Sequence, residues 1–379
     1  MVLPMFIILF GSLFAIIKFG DHEPRHRSPR KQRKVTLEEA VEGSGICDKL
    51  NLTQLPNDTV ILPPHIPGLN HSVLNICKWV IETRTRYYRP QEHKVAPYNH
   101  TFVIPGKGIC DSSTEIVILV HSLHDYYDKR MAIRTTWGDA VQKGEWVQGI
   151  EIKQKMRLGF VFGLHQNKSW HQFIERENSI YHDVIQGDFY EHYHNMTLKS
   201  LLGLKWTMQY CPSAKLLLKS DDDMIINWPY LLEEINKENM SRSIMGPYNE
   251  GSRVYRTGKW KISREEYPLN FYPPYESGSA YIISADLIHE LYALSEYVPH
   301  IFIDDVYITG ILAKIIGARH VKHSGFAFWT DKRPTACHLL RNWILTGTKM
   351  KPDKLINLWT EMVNADVSKC PAEMSTKAP

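Results

Sequence analysis

Beyond Cys110 the chain alternates short apolar runs of strand length with longer amphipathic stretches. EIVILV is followed by DKRMAIRTTWGD, RLGFVFG by SWHQFIERENSIY, DVIQGDF by NMTLKSLLGLKWTMQY, and AKLLLKS by WPYLLEEINKE. Strands and helices alternating at this spacing predict a mostly parallel sheet with helices on both faces, over residues 110–365. Residues 20–109 show little periodicity and scattered prolines (Pro56, Pro63, Pro64, Pro67, Pro90, Pro97), so they read as a stem, with Cys47 and Cys77 as a local centre. Residues 366–379 form a tail, and no internal repeat or low-complexity tract is visible.

The opening MVLPMFIILFGSLFAIIKFG is apolar from Val2 to Ile17. Eighteen residues at about 1.5 Å rise span about 27 Å, which suits a thin secretory-pathway bilayer. No small-residue cleavage site follows, so residues 1–19 read as an uncleaved signal anchor. The basic residues after the span would by the positive-inside rule leave the body in the cytosol. Two further features oppose that orientation. Seven N-x-S/T sequons occur, at Asn51, Asn57, Asn70, Asn99, Asn167, Asn195 and Asn239, more than chance supplies. Six cysteines, none in zinc-site or CxxC spacing, suit an oxidising lumen. Asn195 opens a helical run and is as well suited to capping it as to carrying a glycan, which leaves six glycosylation candidates.

Charge excludes a nucleic-acid partner. The formal net charge is +4, but residues 1–34 hold seven Lys/Arg against Asp21 and Glu23, a surplus of +5, so the remainder is 4 − 5 = −1. No basic face remains for phosphate backbones.

The stretch LLLKSDDDMIIN (216–227) places three consecutive carboxylates where an interior strand ends. Adjacent like charges repel and raise one another's pKa unless something cationic compensates. A solvated loop is one reading. A divalent cation bound by hard oxygen ligands is the other, and it gains weight because open α/β sheets bind ligands beyond the carboxyl ends of their strands. Cys110 lies six residues before Ile116 and Cys211 five before Leu216. If those two strands are neighbours, the thiols fall within bridging reach; the alternative is a pair of buried free thiols.

Taken in order, RMAIRTTWGD (130–139), ENSIYHDVIQGDFYEHYHNMTLKS (177–200), KSDDDMIIN (219–227), YPPYESGSAYIIS (272–284) and DDVYITG (304–310) give a family resemblance. From about Cys110 to Met362 the chain resembles the β1,3-glycosyltransferases of the β1,3-galactosyltransferase type, secretory-pathway enzymes with a GT-A fold. The resemblance implies Mn²⁺ and a UDP-sugar donor at the acidic triplet, with Asp223 as direct metal ligand. Asp221 and Asp222 would face the metal and its waters, the ribose or neighbouring backbone, and Asp221 is also carried as a metal ligand. A cation bridging the diphosphate oxygens neutralises charge as the glycosidic bond breaks. Lys219 either reaches a phosphate or packs its stem at the strand end.

Arg130 and Arg134 project from one helix face and would meet phosphate or uridine groups, or else pair with Asp139 or Asp183. Glu276, Ser277 and Gly278 would form a donor-sugar loop, with Glu276 standing where the family often has Cys or Ala. Asp304 replaces the Glu usual in the family's E-D-V segment. The second acid, Asp305, would be the general base of an inverting transfer, its pKa raised by Asp304; a helix cap is the plainer alternative. The family tends to carry a histidine before its last helix, where this chain has Thr348, so water, His320, His323 or His338 would fill that coordination position.

The expectation is therefore a Golgi or ER single-pass type II membrane enzyme that transfers a hexose, galactose first and N-acetylglucosamine second, to a glycan acceptor on protein or lipid in β1,3 linkage. An inactive glycan-binding relative and a metal-dependent phosphohydrolase are the rivals, and a homo-oligomeric state is left open.

Overall fold

The computed structural model describes residues 90–91, 93–327 and 334–372. The apolar segment 1–19, most of the stem, Cys47, Cys77, Asn51, Asn57 and Asn70 lie outside the described residues. No helix among the described residues is long and apolar enough to cross a membrane.

An eight-stranded sheet carries the described chain. Its order is β1 (Phe102–Ile104), β4 (Val184–Tyr190), β3 (Met156–Leu164), β2 (Ile116–His121), β5 (Leu216–Asp221), β10 (Ala280–Ser284), β7 (Ser243–Gly246) and β11 (Arg319–Lys322). β4, β3, β2 and β5 run parallel, as do β7 and β11, whereas β1 and β10 run against their neighbours. The expected mostly parallel sheet is therefore present. β1 lies within the stretch read as stem, so the folded body begins before Cys110. Beside the main sheet, β6 (Ile225–Ile226) joins β13 (Thr346–Gly347) and β12 (Phe326–Ala327), and β8 (Tyr248–Asn249) pairs with β9 (Tyr275–Glu276).

All six residues of β2 are buried. Side chains alternate across a strand, so Val117 and Leu119 enter one core while Ile116, Ile118 and Val120 enter the other. The second core takes apolar residues of α1 (Tyr127–Arg134), α2 (Trp137–Lys143), α3 (Lys168–Tyr181) and the C-terminal helix Pro352–Asn364. The first is covered by α4 (Met196–Tyr210) and by Ala285–Ser295.

DKRMAIRTTWGD, expected as one helix, breaks between α1 and α2. Thr136 Oγ donates to the Ala132 carbonyl at 2.5 Å, and a Cβ on Gly138 would lie 2.7 Å from the Ile133 carbonyl oxygen. Only glycine admits that close return of the chain.

β2 and β5 are direct neighbours with Ile116 opposite Leu216. Cys110 and Cys211 form the expected disulfide, Cα atoms 5.4 Å apart. A second disulfide, Cys337–Cys370, ties the short helix Ala336–Leu340 to the start of the stretch read as tail, where Arg341 also donates to the carbonyls of Val367 and Cys370.

Candidate active site

β5 ends at Asp221, in register with His121 at the end of β2. The acidic turn thus opens at the carboxyl edge of the parallel strands. Protein groups hold its three members differently. Asp222 is buried and accepts from Lys129 Nζ at 2.8 Å and Ser122 Oγ at 2.7 Å. Asp221 accepts from Lys219 Nζ at 2.7 Å, and Lys219 also donates to the Gly278 carbonyl. At Asp223 the backbone is fixed, its carbonyl accepting from Met350 N at 2.9 Å. Trp137 Nε1 donates to the Met224 carbonyl at 3.0 Å and so locks the exit of the turn.

Burial, with repulsion from Asp223 and Asp304, pushes the Asp221 carboxyl up to about 6 against the pull of Lys219. The Asp221 side chain is 42% exposed, but what it faces is the floor of a cavity. Burial and repulsion from Asp222 likewise raise Asp223, against Lys129.

A second acidic pair stands at the entrance to the helix Val306–Leu312, which is wound in the wider π form often found at functional sites. Asp305 Oδ1 accepts from Val306 N at 2.8 Å and Oδ2 from Gly278 N at 2.7 Å. The cap and the cavity-facing carboxylate are therefore the same group. Burial, then the neighbouring Asp304, pushes Asp305 up to about 7, although two backbone N–H groups and Lys219 favour its charged form. Asp304 accepts from Ser200 Oγ at 2.5 Å. A Cβ at Gly278 would lie 3.3 Å from Asp305 Oδ2, so glycine allows the loop to close on the carboxylate.

Lys219, Asp221, Ser277, Gly278, Asp304 and Asp305 line one cavity of about 390 Å³. Helix α4 connects its two acidic sides. Lys199 Nζ donates to the Ser122 carbonyl at 2.6 Å, behind the triplet, while Ser200 holds Asp304 and Thr197 Oγ donates to the Ile301 carbonyl at 2.5 Å. No group of three His, Cys, Asp or Glu among the described residues could close around a metal ion. Asp221 and Asp223 offer hard carboxylate oxygens, which fit a cation that completes its shell with water and phosphate oxygens.

Several expected site residues lie elsewhere. Arg130 is fully buried and spends its guanidinium on Glu177 (2.7 Å twice), Ser122 Oγ (3.2 Å) and the carbonyls of Leu123 and His124. Arg134 grips Asp183 through two bonds of 2.8 Å and reaches Glu177 at 2.7 Å. Both support the loop behind Asp222, and neither lines the cavity. Asp222 itself points back to Lys129 and Ser122. Glu276 faces away, because side chains alternate along β9: Tyr275 and Ser277 line the cavity, whereas Glu276 is buried against His320 Nδ1 at 3.0 Å. His320 is thereby occupied. His323 contacts Glu234 at 3.2 Å and His338 caps its helix with Thr335, so none of the three joins the triplet. Thr348 follows β13, whose pairing of Gly347 with Ile225 brings it beside the acidic turn. Asn99, Asn167 and Asn239 are exposed, whereas Asn195 donates to the Tyr190 carbonyl at 2.8 Å and makes no side-chain cap bond.

Lys129, Ser122, Trp137 and Lys199 were not singled out from sequence. Three of them sit inside or beside the quoted segments RMAIRTTWGD and NMTLKS, so proximity to a motif was the available signal.

The sheet and its acidic cleft define a mixed α/β, glycosyltransferase-like enzyme. The Galactosyltransferase family model matches residues 128–324. Mouse (Mus musculus) β-1,3-galactosyltransferase 1 is 30% identical over 290 residues, covering 73% of this chain and 82% of that protein. Human (Homo sapiens) β-1,3-galactosyltransferase 5 is 32% identical over 268 residues, covering 68% and 81%. A solved WbbM bifunctional glycosyltransferase superposes only loosely, at a TM-score of 0.36 and 10% identity over 68% of this chain and 50% of that one. The chain belongs to the galactosyltransferase family, in its β1,3-galactosyltransferase-like branch, and is a glycosyltransferase.

Proposed function

We propose that this chain transfers a hexose, galactose before N-acetylglucosamine, from a UDP-sugar to a glycan hydroxyl on protein or lipid, forming a β1,3 linkage with inversion. The observation that carries the reading is Asp305: a carboxylate raised to about 7, inside the same cavity as Asp221, and fixed by neutral donors instead of a cation. Each Asp305 oxygen accepts one N–H bond and keeps a second lone pair. An acceptor hydroxyl placed there loses its proton to Asp305 as it attacks the anomeric carbon. Gly278 N–H and Val306 N–H hold the carboxylate at its task, and Ser200 keeps Asp304 from swinging toward it.

Asp221 and Asp223 would hold Mn²⁺, which when bound neutralises charge on the departing diphosphate. Lys219, bridging Asp221 and the Gly278 carbonyl, orients the donor-side carboxylate toward the sugar loop. With Thr348 in place of a histidine, water would complete the shell of such a cation. The apolar segment 1–19 and the sequons support a type II Golgi membrane location.

The test is incubation of the chain with labelled UDP-galactose or UDP-N-acetylglucosamine, Mn²⁺ and a panel of acceptor glycans. Metal-dependent transfer with inverted product stereochemistry is expected. Release of sugar without an acceptor requirement would instead indicate a hydrolase, and glycan binding without either reaction an inactive relative.

A further inference from the structure

Residues 250–271, EGSRVYRTGKWKISREEYPLNF, carry five Lys/Arg against three Glu. The segment is built, not loose: Ile262 and Tyr267 are fully buried, and Arg256 donates to the carbonyls of Ile262, Ser263 and Leu269. That internal staple uses one cation. Two others, Arg253 and Lys259, line the active-site cavity with Tyr255 and Trp260.

Neither has a carboxylate within ion-pair distance among the described residues, although the cavity floor is acidic. Both lie against aromatic faces: Arg253 is 5.5 Å from the Phe271 ring centroid, and Lys259 is 4.5 Å from that of Tyr193 and 5.9 Å from that of Trp260. Tyr193 in turn packs on Phe302 at 5.8 Å, two residues before Asp304. These contacts run from Lys259 to the segment that carries the base, the side on which the attacking hydroxyl must lie. Tyr255 and Trp260 are 55% and 39% exposed, large apolar faces open to a sugar ring.

We infer that Arg253 and Lys259 select an acceptor glycan that carries an anionic group, a uronate carboxylate, sulfate ester or phosphate, beside the sugar that receives the hexose. The inference rests on the transferase reading above and names its substrate class. An anion there meets two cations held by ring faces and free of competing carboxylates. A neutral acceptor leaves both cations without a counter-charge.

The full-length chain, made in a glycosylating host, is assayed on N-acetyllactosamine, its 6-sulfate, its 6-phosphate and a glucuronosyl-galactose disaccharide. At least one anionic acceptor should exceed the neutral one in kcat/KM by about tenfold or more. The preference should shrink as ionic strength rises. The double variant R253Q/K259Q should lose most of that preference through acceptor KM, and which anion wins identifies its source. Equal use of charged and neutral acceptors, or a variant whose defect lies in donor KM, overturns the assignment. Saturation-transfer NMR of the same four glycans needs no turnover. Preferential binding of an anionic glycan, weakened in the double variant, supports the site even if no transfer is detected, in which case the transferase reading alone fails. Indifference to glycan charge in both proteins overturns the site.

Discussion

Two acidic clusters, one reaching the cavity through Asp221 and the other through Asp304 and Asp305, are held by opposite means. In the triplet, Asp222 is met by Lys129 and Asp221 by Lys219. In the pair, Asp304 has the Ser200 hydroxyl and Asp305 two backbone N–H groups, with no cation at bonding distance among the described residues. A cation beside a carboxylate favours the charged form, whereas neutral donors in a desolvated pocket offset burial less. Burial raises both Asp305, to about 7, and Asp221, to about 6; what differs is the bonded partner, two backbone N–H groups for the first and Lys219 for the second. On the proposed function, the contrast separates the carboxylates that would hold a cation from the one that would take the acceptor's proton.

The sharpest way to break this contrast is Asp305→Asn. The amide keeps a cap acceptor but takes no proton, so transfer should fall by roughly 10³-fold while Mn²⁺-dependent UDP binding persists. Retention of more than about a tenth of wild-type turnover, less than about 1.4 kcal/mol in barrier terms, would reduce Asp305 to a cap.

Next in size is Glu177→Ala. It strands the fully buried Arg130 guanidinium, and losing one partner of a buried pair costs about 3–5 kcal/mol. Urea unfolding should show that loss. Near-wild-type stability would mean that the ion network behind Asp222 contributes little. Asp223→Ala should then weaken Mn²⁺-dependent UDP affinity by about a hundredfold, leaving thermal stability nearly unchanged because no core packing is removed. Calorimetric titration reads the first quantity, and unchanged affinity would return the triplet to a surface turn.

The same contrast marks what sequence reveals. Strand and helix alternation was legible because interior strands such as IVILVH need no partner to betray their burial. The Cys110–Cys211 bridge was legible because two parallel neighbours turn closely matched offsets, six residues and five, into proximity. Side-chain direction was harder. Arg130 and Arg134 share a helix face, and Asp183, one of the partners the sequence offered, does pair with Arg134, but their spacing does not point to Glu177, which takes Arg130 and part of Arg134. Glu276 stood in the right loop on the wrong side of its strand. The break at Thr136 goes with a hydroxyl bond back to the Ala132 carbonyl and a close chain return at Gly138, neither of which the amphipathic pattern of DKRMAIRTTWGD registers.

The smallest predicted effect is the most specific to the chemistry. With Asp305 raised to about 7 by burial and by Asp304, the base is increasingly protonated as pH falls through that value. kcat/KM for transfer should therefore decline about tenfold per pH unit below about 7 and level off above it. Stability should move the other way. A carboxyl whose folded pKa lies above its ordinary value holds its proton more tightly in the folded state, so its stabilising contribution is full below the ordinary carboxylate pKa and is lost as pH rises through about 7. Asp305→Asn removes that titration, so the melting temperature of the variant relative to wild type should rise from pH 4 to pH 8, on top of a constant offset from the amide accepting only one of the two N–H bonds. A flat pH profile between 5 and 8, together with parallel melting curves for the two proteins, would place the proton-accepting group outside the Asp304–Asp305 pair.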